Sequence, residues 1–159
     1  MSAETNLVLR AAQVSEARLI ASISRLQVEH GLRWRWTPAR VRRHIRDPDT
    51  MVLVATLAGE LTGFAIMKFG DRQAHLYLLA VLPRHHRRGF GSRMLEWLEK
   101  SCETAAIERI RLEVRADNRP AMAFYRQLGY RYLGLMAGYY DRRETAVIMG
   151  KSLLQEVQS

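Results

Sequence analysis

The chain has 159 residues, of which 48% are hydrophobic and one is Cys, and 25 basic residues against 16 acidic ones give a net charge of +9. That length suits a single domain with its own core, one Cys excludes an internal disulfide and fits a reducing compartment, and no stretch approaches the roughly 18 consecutive apolar residues of a membrane span. Only Lys68, Lys100 and Lys151 among the basic residues are not Arg, and so marked an excess either points to an anionic ligand or partner or is simply solvated.

The opening residues, MSAETNLVLRAA, have no basic head followed by an apolar segment, so the expectation is a soluble, cytoplasmic protein without a secretory signal. NLVLRAA reads as a strand. Ser15 then reads as the cap of a helix running to about His30 and ended by Gly31. TPARVRRHI starts a second helix, with Thr37 as cap and Pro38 in the first helical position. TMVLVATL, ELTGFAIMKF and QAHLYLLAVL are three strands rich in β-branched and large apolar residues, and the turns AGE and GDR make them an antiparallel meander. From Gly89, the helical spacing of Met94, Leu95, Leu98 and Cys102 gives a third helix to about Ala105. A strand RIRLEV, a helix RPAMAFYRQLG stopped by Gly129, and strands YRYLGLMAGYY and TAVIMGKSL complete the chain. No repeat or linker divides it. The expected fold is α/β (α+β): one domain over residues 1–159 with a single mixed, mostly antiparallel sheet flanked by helices, in the order β-α-α-β-β-β-α-β-α-β-β.

The stretch LPRHHRRGFGSRML, residues 82–95, lies at the turn from a strand into the third helix. Glycines there let the backbone approach a ligand, and the unbonded N–H groups of a helix's first turn attract phosphate oxygens. Alone, Gly-x-Gly at such a turn is more often structural. It is neither a Walker loop nor a complete dinucleotide fingerprint.

The second informative stretch is LEVRADNRPAMAFYRQLGY, residues 112–130: a strand, Asn118, then a helix with Ala121 and Tyr125 one turn apart. Together with LLAVLPRHHRRGFGSRMLEWL, and in that order, it closely resembles the GNAT superfamily of acyl-CoA-dependent N-acyltransferases over about residues 50–151. The continuation GYYDRRETAVIM, with the segment RWTPARV, is similar to the ribosomal-protein-alanine N-acetyltransferase (RimI-like) branch.

The resemblance implies acetyl-CoA as co-substrate. Residues 87–92 would hold its pyrophosphate through the amides of Arg88, Gly89, Gly91 and Ser92, with charge from Arg87 and Arg88. Main-chain atoms of Leu79 and Val81 would pair with the pantetheine arm, which the Asn118 amide would also reach. His86 departs from the family pattern, which has Gln or Arg three residues before the first Gly. Glu113 would be the general base, through water, and Tyr125 the general acid for the leaving thiolate. Tyr139 and Tyr140 would line a peptide groove, and a main-chain N–H near Ala80 or Val81 would meet the oxyanion. The acceptor expected from the branch is a protein or peptide N-terminal amine, acetylated by direct transfer in a ternary complex.

The residue types suit that chemistry. An α-amine, with a pKa of about 8, is far easier to deprotonate near neutrality than a Lys at about 10.4, and a phenol proton eases the departure of a thiolate. Each residue also has a plainer reading. Glu113 lies on the strand face opposite Leu112 and Val114, which solvent alone could account for; Tyr125, Tyr139 and Tyr140 could be packing residues; and Asn118 before Arg119-Pro120 is a good helix cap. Cys102, on the apolar face of a helix, reads as an inert packed thiol, and the five His residues show no metal-ligand spacing. Two other functions stay open: a small-molecule amine acetyltransferase, and a basic RNA-binding module built on RWRWTPARVRRHIR, where Trp and Arg interleave. A ribosome or RNA nearby, no membrane, and a monomeric or homodimeric state are expected of the partners.

Overall fold

A computed structural model describes residues 6–154. Its strands are β1 (Leu7–Ala11), β2 (Thr50–Leu57), β3 (Glu60–Phe69), β4 (Gln73–Val81), β5 (Arg109–Arg115), β6 (Arg131–Tyr140) and β7 (Glu144–Ser152). Its helices are α1 (Ala17–Ile23), α2 (Pro38–Arg46), α3 (Phe90–Thr104) and α4 (Arg119–Gln127). The seven strands form one sheet in the order β1-β2-β3-β4-β5-β7-β6, in which β4 and β5 run parallel. The mixed, mostly antiparallel sheet and the element order expected from the sequence are both present.

By internal contacts the chain divides into two compact units. The first holds residues up to Lys68 and Tyr77–Leu98; the second holds Phe69–Leu76 and the residues from Glu99 onward, so the boundary falls inside β4 and inside α3. In the first unit, β1, β2 and β3 form antiparallel pairs. The β2–β3 turn has both Ala58 and Gly59 at positive φ (51° and 81°), the hairpin geometry whose twist matches the strands it joins. Ile20, Ala21, Val41, Val52, Val54, Phe64, Ile66 and Leu78 form the core of this unit.

Helix α2 starts as expected, with Pro38 in the first turn and Thr37 Oγ1 accepting from the Arg40 amide at 3.4 Å. The first helix differs from its expectation. Ser15 lies inside a 3₁₀ turn, Val14–Glu16; the cap is Gln13, whose amide donates to Glu16 Oε1 at 2.8 Å. Nor does one α-helix reach His30, because α1 passes at Ser24 into a π-helical turn, Ser24–Val28, closed by the Glu29 amide donating to Ser24 O at 2.7 Å. The cause is the buried Glu29 carboxylate. It accepts from Ser24 Oγ (2.8 Å), Arg35 N (2.7 Å) and Trp36 N (3.1 Å), and widening the last turn brings it within reach of all three.

At Gly63 on β3 two backbones come close together. A Cβ there would lie 2.7 Å from Ala80 O and 3.3 Å from the Val81 Cα on β4. Because the obstacle is main chain, Gly63→Ala is expected to cost about 1–3 kcal/mol of stability and to displace β4 at Ala80–Val81. Thermal melts, with acetyl-CoA titrations for the displacement, check this; an unchanged melting temperature would mean that β4 yields freely.

In the second unit, β4 and β5 pair in parallel from Gln73–Arg109 to Leu76–Leu112, and β7 lies antiparallel between β5 and β6. Burial alternates along both parallel strands: Ala74 and Leu76 of β4, with Ile110, Leu112 and Val114 of β5, are buried, while His75, Arg111, Glu113 and Arg115 are half-buried on the other face. Glu99 anchors this unit by accepting from Lys151 Nζ at 2.9 Å and from the buried Tyr130 hydroxyl at 3.3 Å.

Candidate active site

The loop between β4 and α3 takes its shape from two left-handed residues, Arg87 (φ 64°) and Gly89 (φ 76°). The first intrahelical bond of α3 runs from the Arg93 amide to Gly89 O at 3.1 Å, so the amides of Phe90, Gly91 and Ser92 precede it and project from the helix N-terminus. A Cβ placed on Gly89 would meet nothing within 4 Å. Open space over a Gly at a helix N-terminus, with Arg87 and Arg88 beside it, fits an approaching pyrophosphate.

The loop histidines are structural in ways their spacing did not disclose. His86 Nε2 donates to Val81 O at 2.7 Å, tying the loop to the end of β4. The side chain of His86, which departs from the expected pattern, is thus a staple between the loop and the strand end. Arg88 lies over the Phe90 ring at 5.2 Å and contacts His85 Nδ1 at 2.9 Å. Burial, then the charges of Arg84 and Arg88, lower the His85 pKa and favour a neutral ring.

In the second unit, Glu113 is not a solvated strand residue. Its side chain is 6% exposed; Oε1 accepts from Arg111 Nε at 3.2 Å and Oε2 lies 2.5 Å from His75 Nε2. Parallel register makes this cluster, since His75 stands opposite Arg111, and Glu113 comes two residues further along the same face. Arg115, next on that face, lies 3.8 Å from Glu144 and 5.9 Å from the centre of the Tyr140 ring. His75 and Arg111 were absent from the sequence-based site. Strand alternation puts Arg111 on the same face as Glu113, but nothing local to either strand fixes the register that brings in His75.

Tyr125 is buried on α4, its ring edge-on to Phe124 at 5.1 Å and to Tyr130 at 5.6 Å. Burial, with a smaller contribution from Tyr140, raises its pKa and keeps the phenol protonated. Tyr140, raised first by burial and next by Tyr139, makes a perpendicular ring pair with the exposed Tyr139 at 4.8 Å. Asn118 is exposed and caps α4, its Oδ1 accepting from the Ala121 amide at 3.2 Å. Cys102 is fully buried, and burial pushes its thiol up to about 12, so it is neither accessible nor ionised near neutrality.

The RWRW segment is not a stacking platform. Trp36 is 7% exposed, packs against His44 and Tyr77, and carries Arg40 over its ring at 3.8 Å. Trp34 donates from Nε1 to Ala21 O at 3.3 Å. The interleaved aromatics expected to stack on bases are thus committed to the protein.

The model of the acetyltransferase (GNAT) family matches residues 18–130. The chain belongs to this family. Within it, the [ribosomal protein bS18]-alanine N-acetyltransferase of Escherichia coli K12 is 37% identical over 97 residues, which make up 59% of this chain and 66%, just under two thirds, of the relative's length. The crystal structure of the ribosomal-protein-S18-alanine N-acetyltransferase from Escherichia coli superposes with a TM-score of 0.79 at 26% identity, covering 96% of this chain and 97% of that one. Ard1 from Thermoplasma volcanium, at 24% identity and a TM-score of 0.85 over 94% and 99% of the two chains, shares the fold. No helix among the described residues is long and apolar enough to cross a membrane.

Proposed function

We propose that this chain is an N-acetyltransferase that moves an acetyl group from acetyl-CoA to the α-amine of a protein or peptide N-terminus, by direct transfer in a ternary complex. The observation that supports the choice of acceptor is the 37% identity to an enzyme named as a [ribosomal protein bS18]-alanine N-acetyltransferase. Acetyl-CoA, when bound, supplies an activated thioester carbonyl. The amides of Arg88, Gly89, Gly91 and Ser92, with the charges of Arg87 and Arg88, hold its pyrophosphate, while main-chain groups of Leu79 and Val81 and the Asn118 side-chain amide hold the pantetheine arm. A main-chain N–H near Ala80 or Val81 meets the oxyanion. The Glu113 carboxylate is the general base that takes the amine's proton through water, and the Tyr125 phenol protonates the departing sulfur. Tyr139 and Tyr140 contact the acceptor peptide. With Cys102 buried and un-ionised, no acyl-cysteine step is needed.

The proposal covers one functional domain, cytoplasmic and monomeric or homodimeric. Its neighbour is anionic, such as ribosomal RNA, since Arg42, Arg43, Arg46 and Lys68 line a groove of about 720 Å³ beside α2.

Two measurements test the reading. Calorimetric titration is expected to show binding of acetyl-CoA that is lost with S-acetylpantetheine, which lacks the pyrophosphate and adenosine. Mass spectrometry is then expected to place one acetyl group on the α-amine of an Ala-initial peptide. Transfer to polyamines or amino sugars alone would establish the small-molecule alternative, and no binding of either thioester would end the enzyme reading.

A further inference from the structure

We infer that Arg111 is a specificity residue for the acceptor, its guanidinium selecting a protein N-terminus with an acidic side chain in the second position; this rests on the acetyl-transfer reading above, with Glu113 as the base. Arg111 donates from Nε to Glu113 Oε1 at 3.2 Å, and its side chain is 35% exposed. A guanidinium has four further N–H donors on its two terminal nitrogens. Those of Arg111 have no hydrogen-bond or ion-pair partner among the described residues.

Charge on the strand points the same way. Alternation puts Arg109, Arg111, Glu113 and Arg115 on one face of β5, three guanidiniums to one carboxylate. Arg115 has Glu144 at 3.8 Å, whereas Arg109 is exposed and donates to a neutral amide, Gln73 Oε1 at 3.1 Å. The Glu113 carboxylate is shared between Arg111 and His75. From Arg109 to Glu113 the face therefore keeps an excess of positive charge beside the group that receives the amine's proton, and it has no spare carboxylate for a second ammonium or guanidinium. Such a face opposes polyamines and basic peptides and attracts a carboxylate.

Reach decides which acceptor residue is read. Arg111 and Glu113 are two residues apart on an extended strand, about 6.6 Å, and the Nε bond brings the guanidinium back to the carboxylate. An amine that passes its proton to Glu113 through one water thus stands close to the terminal nitrogens of Arg111. The first acceptor residue carries that amine, and the next Cα lies about 3.8 Å further on. A side chain in second position can then bring its carboxylate to the guanidinium fork, where two parallel N–H···O bonds are available.

Three peptides that differ only in the second residue, beginning Ala-Asp, Ala-Ala and Ala-Arg, test the proposal through kcat/KM. The parent is expected to rank them in that order, Asp over Arg by about tenfold, with the difference in KM and shrinking as salt is added. Arg111→Gln is expected to bring the three within about twofold of one another. Arg111→Lys should keep most of the ranking, because the charge remains although the fork is lost. Losing the bond to Glu113 alters kcat for all three peptides alike, so an Arg111 that only supported Glu113 would leave their ratio untouched. A parent that turns the three over equally, or prefers Arg, overturns the proposal before any variant is made while leaving the acetyl-transfer reading intact. So does a ranking that survives Arg111→Gln. A parent that acetylates no peptide would instead fail the reading itself, and this proposal with it.

Discussion

Glu113→Gln is expected to lower kcat/KM toward an N-terminal peptide by about 10³-fold. Glu113 accepts on both oxygens, from Arg111 at 3.2 Å and from His75 at 2.5 Å. A Gln offers one acceptor and one donor, so it faces either the guanidinium or the imidazole with the wrong polarity, and it has no carboxylate to take the proton. Shape is nearly unchanged, so the loss belongs to chemistry and not to packing. It should be greatest at low pH, because an α-amine with a pKa of about 8 is then almost wholly protonated and its deprotonation forms the largest part of the barrier. Initial rates from pH 6 to 9 read this directly. A small loss, uniform with pH, would identify Glu113 as a structural carboxylate that merely neutralises Arg111.

Tyr125→Phe is expected to lower kcat by about 10²-fold or more, with acetyl-CoA affinity little changed. The ring contacts at 5.1 and 5.6 Å to Phe124 and Tyr130 survive the substitution, and only the hydroxyl is lost. Because burial raises the phenol pKa, Tyr125 stays protonated across any workable assay and contributes no alkaline limb to the rate profile. The same shift has a stability consequence whose sign is definite. An unfolded Tyr loses its proton near pH 10, whereas the folded one holds it to higher pH, so its stabilising contribution is complete below about pH 10 and disappears as pH rises further. Tyr130 and Tyr140 are raised in the same direction, both chiefly by burial. Melting temperatures above pH 10 should therefore fall, and less steeply in Tyr125→Phe. A variant with parental kcat would remove Tyr125 from the reaction.

Particular residues show how far the sequence could be read. Thr37 with Pro38, Asn118 with Pro120, and the alternation in QAHLYLLAVL and RIRLEV are local signals, and each became the cap or strand it announced. Ser15 failed as a cap because the Glu16 side chain bonds back to the Gln13 amide, and the first helix widened because Glu29 has partners both in the helix and six and seven residues beyond it. The Trp–Arg segment looked like a surface for bases; burial against Tyr77, some forty residues away in sequence, made Trp36 part of a core. His86 read as a missing phosphate ligand and proved to be a donor to Val81 O.

By itself the sequence determined the element order and the glycine turn ahead of α3, because periodicity, caps and turns are short-range preferences written in neighbouring residues. The company the side chains keep was decided only by the tertiary structure. His75 and Glu113 are 38 residues apart and meet because β4 and β5 lie parallel in one register; a shift of one residue would turn the two side chains to opposite faces. Register is selected by the packing of all the buried residues together, so it has no signature at either position.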